Sequence, residues 1–336
     1  MDNKVSSFLF TLLIFVLVWA CYKYIFTLSM KEIKVFGHQS PDTDAVSSTI
    51  VWAWYLREYR KLEANPYVLG TTNKEALFVL NKWGFSLPPL LSSVSAGDDV
   101  SIVDTNNADE LFSNINDANI VSIIDHHKLT GGLKTSTPLE VVIQPYASTM
   151  TVMYNVMNIE PKDLPKEIAG LMLSGILSDT LKFRSPTTTN DDKNLAEKLA
   201  SVLGVDIEAY ASEMFNAKSD ISDFSDDELV KLDSKVFEIK GKQIRISVVE
   251  TTNPESVLAR KEGIVEAMNK IKSLDNVDMV LMFVVDILNE HAIFLTHEDE
   301  AKNISKESFG ILAQGDTTIL PGIVSRKKQI IPMLSK

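Results

Sequence analysis

The chain has 336 residues, of which 45% are hydrophobic and 23% charged, a composition typical of globular proteins and a length sufficient for two domains. Its net charge of −12 argues against a nucleic-acid-binding surface. The single cysteine, Cys21, excludes an intrachain disulfide and any zinc site built from several thiolates.

The first predicted element is a hydrophobic N-terminal helix within residues 1–30. The run from Val5 to Tyr22 has no charged side chain, and its length reaches the lower limit for crossing a bilayer. A cleaved signal segment is the alternative, although the bulky Trp19 fits a cleavage site poorly. More lysines follow the run than precede it, so the positive-inside rule predicts a membrane anchor with the rest of the chain in the cytoplasm.

Strands and helices alternate from Lys31 onward, which is typical of a mostly parallel sheet. The predicted strands are short apolar runs, namely EIKVFG, PYVLG, DVSIVD, NIVSIID and LEVVI. Between them we expect a helix over residues 44–63, capped by Asp44, and a second helix capped by Thr72. Helices then dominate from about residue 147 to 215.

A polar stretch rich in Ser and Asp, NAKSDISDFSDDE, predicts a linker at residues 216–226 between domains at 31–215 and 227–336. Beyond it, KVFEIKGKQIRISVVE predicts a hairpin across Gly241, followed by a helix from about Pro254 to Leu274 and two further strands. The sequence therefore predicts an α/β protein with a mostly parallel-sheet N-terminal domain and a smaller mixed-sheet C-terminal domain.

Ligands of α/β sheets bind beyond the carboxyl ends of the strands, and polar residues follow several predicted strands. The stretch GHQSPDTD places His38, Asp42 and Asp44 directly after the first strand. Asp104 ends the third strand in SIVDTNN. Taken singly, each stretch is explained at least as well by an ordinary turn.

The stretch IIDHHK is a stronger signal. His126 and His127 are adjacent, follow a buried strand, and belong to a chain with only five histidines. One could bind a metal while the other faces a substrate, and the alternative is a solvated loop. Asp179 ends an apolar helix, where the helix dipole disfavours an anion and a cation is expected nearby.

Together these side chains offer carboxylate and imidazole ligands, which suit Mn²⁺, Co²⁺ or Mg²⁺. So many anionic ligands favour two ions, as in centres that stabilise in-line phosphoryl displacement. A possible counterpart is SRKKQIIP at residues 325–332, where Arg326 could grip phosphate oxygens in a bidentate fashion. A solvated basic tail is the alternative. His291 and His297 have no comparable neighbours and are interpreted as structural.

Four motifs, GHQSPDTD, IIDHHK, SDTLKFRSPT and SRKKQ, resemble in order and spacing those of family II inorganic pyrophosphatases, manganese-dependent members of the DHH phosphoesterase superfamily. The resemblance covers about residues 32–336, and SRKKQ separates pyrophosphatases from other DHH enzymes. It implies a DHH domain followed by a DHHA2-like domain. It also implies hydrolysis of pyrophosphate to two phosphates by a hydroxide that two Mn²⁺ or Co²⁺ ions activate, with Mg²⁺ arriving with the substrate.

The resemblance implies a role for each matched residue. The two metals would share Asp104, with the ligand sets His38, Asp42 and Asp104 for one and Asp44, Asp104, His126 and Asp179 for the other. The catalytic and substrate-binding groups would be His127, facing the phosphate and able to donate a proton, together with Lys235, Arg326 and Lys327.

One departure from the family concerns residues 104–107. The family often has Asp-His-Asn-Glu where this chain has Asp-Thr-Asn-Asn, so a histidine next to the metal ligands is missing. The change could alter metal affinity.

Two other readings stay open. One is a different DHH phosphoesterase, an exopolyphosphatase or a phosphodiesterase for oligonucleotides or cyclic dinucleotides, although such enzymes lack SRKKQ. The other is an inactive membrane-tethered phosphate-binding protein, although all six ligand positions are filled. We expect pyrophosphate as substrate, no nucleic acid, and membrane contact through residues 1–30; a homodimer is compatible with the sequence but not determined by it.

Overall fold

Two α/β units, divided between Val205 and Asp206, make up residues 31–335, the part of the chain that this computed structural model describes. The predicted hydrophobic helix at residues 1–30 lies outside these residues. The linker predicted at 216–226 stays a prediction.

The membrane-anchored localisation predicted from the sequence needs correction. Within residues 31–335, no helix is both long enough and apolar enough to cross a bilayer. The longest of them, Thr43–Glu58, has 16 residues, whereas a membrane-spanning helix needs about 20. On this finding the predicted membrane-anchored localisation is wrong, and the membrane contact predicted through residues 1–30 is not shown.

Five parallel strands in the order β2-β1-β3-β4-β5 form the sheet of the first unit. Their bounds are β1 Ile33–Phe36, β2 Ala64–Pro66, β3 Asp99–Val103, β4 Asn119–Asp125 and β5 Glu140–Ile143. Four of the five predicted strands are confirmed. The second begins and ends earlier than PYVLG, because beyond Pro66 the chain leaves β1 and Val68 forms only an isolated bridge to Leu90.

The three central strands explain where a site can form. Val35, Ile102 and Ile124 are all fully buried, as expected for parallel strands covered on both faces. Since β1, β3 and β4 are neighbours that run in the same direction, the loops that follow them leave the sheet at one edge.

The helices of the first unit include two that are buried along most of their length. Their bounds are α1 Thr43–Glu58, α2 Lys74–Lys82, α3 Thr149–Met157, α4 Lys166–Asp179 and α5 Asn190–Leu203. In α1 and α4 most residues are buried on every side of the helix, which is typical of helices enclosed by other elements. The helix predicted over residues 44–63 ends early, at Glu58, and Lys61 with φ +57° turns the chain toward β2.

The helix caps differ from the prediction by one or two residues. Asp42, not Asp44, caps α1 by accepting from the N–H of Ala45 at 3.0 Å. Asn73, not Thr72, caps α2 by accepting from the N–H of Ala76 at 2.8 Å. The carboxylate of Asp44 is instead buried and bonded within the unit, which leaves the capping position to Asp42.

The second unit is built on a mixed sheet in the order β10-β9-β8-β7-β6, in which only β7 and β8 are parallel. The strands are β6 Ser234–Ile239, β7 Lys242–Thr251, β8 Met279–Asp286, β9 His291–Leu295 and β10 Thr317–Pro321. The helices are α6 Ile207–Lys218, α7 Asp226–Lys231, α8 Pro254–Leu258, α9 Lys261–Leu274, α10 Asp299–Phe309 and α11 Ile331–Leu334. The expected α/β class, with a parallel first sheet and a mixed second sheet, is confirmed.

Two local features of the second unit follow from its sequence. The hairpin between β6 and β7 is confirmed, with Lys240 at φ +50° and Gly241 at φ +75° forming the two-residue turn that matches strand twist. The single helix predicted from Pro254 to Leu274 is two helices, because the chain breaks between Leu258 and Lys261.

Candidate metal centre

Six of the sequence-predicted side chains converge at the carboxyl edge of the first sheet. They come from five places in the chain: His38 after β1, Asp42 and Asp44 at the start of α1, Asp104 after β3, His126 after β4, and Asp179 at the end of α4. The shared direction of β1, β3 and β4 explains why the residues that follow these strands lie together. The packing of α1 against α4 brings Asp42 and Asp44 close to Asp179.

The ligand atoms form two groups that share Asp104. Within each group all atoms lie within 4.8 Å of one another, and the groups are His38, Asp42 and Asp104, and Asp44, Asp104, His126 and Asp179. These are the sets that the resemblance implies, although their role as ligands stays a prediction. Asp104, His126 and His127 also satisfy the same distance, so geometry alone does not assign the two histidines.

Asp104 lies between two imidazoles because of its backbone. Its φ of +57° is a left-handed conformation, which aspartate tolerates better than most residues. The carboxylate is nearly fully buried, with Oδ2 3.6 Å from His38 Nε2 and Oδ1 3.4 Å from His126 Nε2. One side chain therefore faces both groups.

The N-terminus of α3 holds two of the carboxylates. Ser148 Oγ donates to Asp44 Oδ1 at 2.9 Å, and the N–H of Thr149 donates to Asp44 Oδ2 at 2.7 Å. Thr149 Oγ1 donates to Asp104 Oδ1 at 2.8 Å. A helix N-terminus favours negative charge, so α3 helps to offset the repulsion between two buried acids. Sequence reasoning missed both residues, whose only signal was a Ser-Thr pair before an apolar helix.

The electrostatics of the metal-free chain show how much negative charge is gathered here. Burial, followed by the charge of Asp104, raises the pKa of Asp44 to about 7. Burial and the neighbouring Asp44 likewise raise the pKa of Asp179 well above its usual value. Burial would also raise the pKa of Asp104, but the neighbouring imidazoles of His126 and His38 outweigh it and lower the value. Divalent cations would relieve this repulsion.

The two ligand-like histidines are affected by the same carboxylates. Burial lowers the pKa of each, but the neighbouring carboxylate of Asp104 reverses the effect. The result is a pKa of about 8 for His38 and about 9 for His126.

His126 shows that the residues fit a metal. Its Nδ1 lies 3.1 Å from the carbonyl oxygen of Tyr146, which can only accept, so Nδ1 carries a proton. Nε2 is buried and has no hydrogen-bond partner among the described residues, yet lies 3.6 Å from Asp179 Oδ2. An imidazole that donates from one nitrogen to a carbonyl and presents the other to carboxylates is the usual arrangement of a metal ligand.

His127 is placed differently. Its ring is half-exposed, and Nδ1 donates to Asp125 Oδ1 at 2.9 Å. Asp125 is fully buried and also accepts the N–H groups of His126 and His127, at 2.7 and 3.0 Å. The bond to Asp125 is the main cause that raises the pKa of His127. The ring is thus held with Nε2 outward, beside a cavity of about 350 Å³ that His127 and His38 help to line.

The loop after β3 is fastened in a way the sequence did not reveal. Thr105, at the position where the resemblance led us to expect a histidine, donates through Oγ1 to Glu110 Oε2 at 2.7 Å. Asn106 donates to Asp125 at 2.5 Å and accepts from the N–H of Thr130 at 2.9 Å. The loop that carries Asp104 is therefore tied to the loop that carries the two histidines.

The predicted phosphate-binding cations all lie in the second unit. Arg326 is buried, with Nη2 2.7 Å from Asp233 Oδ1 and Nη1 donating to the Asp233 carbonyl at 2.6 Å. Lys235 and Lys327 are exposed. Gln329 shapes the segment by accepting, through Oε1, from the N–H groups of Val324 and Ser325 at 2.8 and 3.0 Å.

The chain is similar to proteins already described. Two family models match it, "DHH family, N-terminal domain" over residues 32–176 and "DHHA2 domain" over residues 212–336. A Deinococcus radiodurans protein named "Probable manganese-dependent inorganic pyrophosphatase" is 41% identical over 313 residues, covering 90% of this chain and 97% of that protein. A Streptococcus thermophilus protein of the same name is 37% identical over 310 residues, covering 91% and 99%.

A solved structure is similar over the same length. It is a Methanococcus jannaschii protein assigned to the family II inorganic pyrophosphatases, 33% identical, with a TM-score of 0.56. The match covers 90% of this chain and 98% of the other. These similarities extend through both units rather than through one alone.

Proposed function

This chain belongs to the manganese-dependent inorganic pyrophosphatases of the DHH family, and on that premise we propose that its two ligand groups hold two Mn²⁺ ions at which pyrophosphate is hydrolysed to two phosphates. The observation that carries the proposal is the pair of groups sharing Asp104, with an unpartnered His126 Nε2 directed into one of them. When bound, the ions would lower the pKa of a water molecule and offset the charge of the phosphate oxygens.

The ligand sets follow the groups. His38, Asp42 and Asp104 would hold one ion, and Asp44, Asp104, His126 and Asp179 the other. Oxygen-rich sites of this kind suit Mn²⁺ and also Co²⁺, and a Mg²⁺ ion would accompany the substrate.

His127 would act on the leaving phosphate. Asp125 accepts from Nδ1 and raises the pKa of the ring, which favours the imidazolium form whose outward Nε2 can donate a proton. Asp125 would keep the ring in the orientation that this transfer needs. Neither residue needs to contact a metal for this role.

Arg326, Lys327 and Lys235 would bind phosphate oxygens. Asp233 fixes the Arg326 guanidinium through both Nη groups, so the cation is held in one orientation before substrate binds. The exposed lysines would contribute positive charge, whose attraction to the phosphate oxygens becomes stronger once the bound substrate excludes water.

A substrate panel tests the proposed function. Phosphate release from pyrophosphate, tripolyphosphate, long polyphosphate and a cyclic dinucleotide is measured on the Mn²⁺-loaded full chain. We expect pyrophosphate to be hydrolysed far faster than the others. A preference for polyphosphate or a dinucleotide would instead support a different DHH phosphoesterase.

A further inference from the structure

Glu75 is a buried acid that the proposed mechanism does not use. It is the second residue of α2 and has 0% of its surface exposed. Transferring a carboxylate from water into a protein interior is costly unless hydrogen bonds compensate for the lost hydration. A fully buried glutamate therefore indicates that its bonds accomplish something an apolar residue could not.

One oxygen of Glu75 joins two ligand-bearing helices. Oε2 accepts from Thr43 Oγ1 at 2.9 Å and from Ser178 Oγ at 2.8 Å. Thr43 is the first residue of α1 and lies between Asp42 and Asp44, whereas Ser178 directly precedes Asp179 in α4. The same atom thus bonds next to ligands of both groups.

The bonds fix the distance between these helix ends. A carboxylate oxygen has two lone pairs, so it can hold two hydroxyl donors at once. The two hydroxyls are buried and lie 135 positions apart in sequence. Glu75, which belongs to a third helix, connects them by accepting from both. A shift of either helix end would break a bond and leave a buried polar atom unsatisfied, which costs about 1–3 kcal/mol.

The alternative is that Glu75 only stabilises α2. An acid in the first turn of a helix interacts favourably with the helix dipole. That role is fulfilled equally well by an exposed glutamate. It explains neither the complete burial nor the two hydroxyl donors from other helices.

We propose that Glu75 is a positioning residue for the metal centre, which holds Asp42 and Asp44 at the correct distance from Asp179. The inference rests on the proposed function in so far as those residues are the ligands. It adds a residue that touches neither metal nor substrate, and that sets how tightly the metals bind.

The test compares Glu75→Met with Glu75→Gln. Methionine has a similar size but no acceptor for the two hydroxyls, whereas the glutamine oxygen can accept both. We expect Glu75→Met to bind Mn²⁺ about 10–100-fold more weakly, the usual effect of losing a partner behind the ligands. We expect the Mn²⁺ affinity of Glu75→Gln to stay within about threefold of the parent's, well below that range, because the amide oxygen keeps both hydrogen bonds. Bound Mn²⁺ is measured by equilibrium dialysis of the full chain, independently of any activity.

Asn73→Ala is the matched control. It removes the cap of the same helix and should cost about 0.5–2 kcal/mol of stability, while leaving Glu75 and its two donors in place. We expect lower thermal stability with unchanged Mn²⁺ affinity. Ser178→Ala removes only one of the two bonds and serves if Glu75→Met does not fold. We expect it to weaken Mn²⁺ binding less than Glu75→Met.

Three results would overturn the inference. The first is a Mn²⁺ affinity equal to the parent's in both Glu75→Met and Ser178→Ala. The second is a loss of Mn²⁺ affinity in Asn73→Ala as large as in Glu75→Met. The third is a loss of Mn²⁺ affinity in Glu75→Gln as large as in Glu75→Met. The last would mean that charge, not position, matters. If the parent bound Mn²⁺ but did not hydrolyse pyrophosphate, the proposed function would fail while the affinity comparison still decided the role of Glu75.

Discussion

At the scale of single residues, Asp104 determines how the two ligand groups are joined. A left-handed backbone, rare outside glycine, turns its carboxylate so that one oxygen faces His38 and the other faces His126. Thr149 Oγ1 donates a hydrogen bond to Oδ1, the oxygen that faces His126. A carboxylate common to both groups is thus positioned by a strand end, a turn and a helix N-terminus.

The adjacent histidines should fail in different ways when replaced. His126→Gln removes a proposed ligand, so Mn²⁺ should bind more weakly and excess Mn²⁺ should partly restore the rate. His127→Gln leaves the ligands in place and should lower kcat by about 10²-fold or more, the effect of losing a general acid, with no benefit from added metal. Titrating Mn²⁺ against each variant, with bound metal measured in parallel, separates the two.

The reverse pattern would exchange these assignments. Rescue of His127→Gln by Mn²⁺ would make His127 the ligand, as the third grouping with Asp104 allows. Normal activity in both variants would reduce the pair to a solvated loop.

Metal binding should depend on pH with a definite sign. In the metal-free chain, Asp104 outweighs burial and raises the pKa of His38 to about 8 and that of His126 to about 9. Both imidazoles are therefore protonated at pH 7, and Mn²⁺ must displace these protons. Mn²⁺ affinity should rise from pH 7 to 9 and binding should release protons, which calorimetry in buffers of different ionisation enthalpy detects. An affinity independent of pH over this range would contradict the prediction.

The stability of the metal-free chain should change in the opposite direction. Because the folded pKa values exceed the unfolded value of about 6.5, protonation of His38 and His126 stabilises the folded chain. That contribution is fully present below about pH 6.5 and is lost as the pH rises through the folded values of about 8 and 9. Denaturant unfolding of the chelated chain at pH 6 and pH 9.5 measures the loss, and equal stability at both would contradict it.

At the scale of elements, the sequence predicted strands better than helix ends. Apolar runs such as NIVSIID identify buried parallel strands because both faces are covered. Helix starts were misplaced where several capping residues are adjacent, as with Asp42, Thr43 and Asp44. Which of them caps depends on tertiary bonds, here the burial of Asp44 against α3.

Helix α4 should be sensitive at Gly170. A Cβ added there would overlap the ring of Trp83, whose Nε1 donates to Ser174 Oγ at 3.2 Å one turn further along α4. Gly170→Ala should therefore destabilise the first unit by about 1–3 kcal/mol, measured by denaturant unfolding. Glu167→Ala, an exposed change in the same helix, is the control and should have little effect. Equal stability of both variants would show that the ring moves aside without cost.

At the scale of the whole molecule, the sequence predicted which side chains come together in the two groups, but not the residues that support them. The ligand motifs are short stretches at strand and helix ends, where topology limits where a side chain can lie. Glu75, Ser148 and Thr149 are ordinary residues in sequence, and their contacts join positions about a hundred residues apart. Such contacts depend on helix packing, which no local pattern encodes.

The second unit should matter for substrate more than for metal. Lys327 is exposed, so Lys327→Ala should leave the fold intact, raise KM for pyrophosphate and leave Mn²⁺ affinity unchanged. Lys328→Ala is the matched control, an exposed neighbour of the same charge that no phosphate role has been assigned. Equal effects of the two would mean that general positive charge, rather than Lys327 itself, contributes to binding.

The most direct test of the dinuclear centre is metal reconstitution of the chelated full chain. Phosphate release from pyrophosphate and bound metal are measured together as Mn²⁺ is added. We predict no activity without metal, a rise that reaches its plateau as the second ion binds, and better recovery with Mn²⁺ or Co²⁺ than with Zn²⁺. Full activity after exhaustive chelation, with no metal bound, would contradict the account.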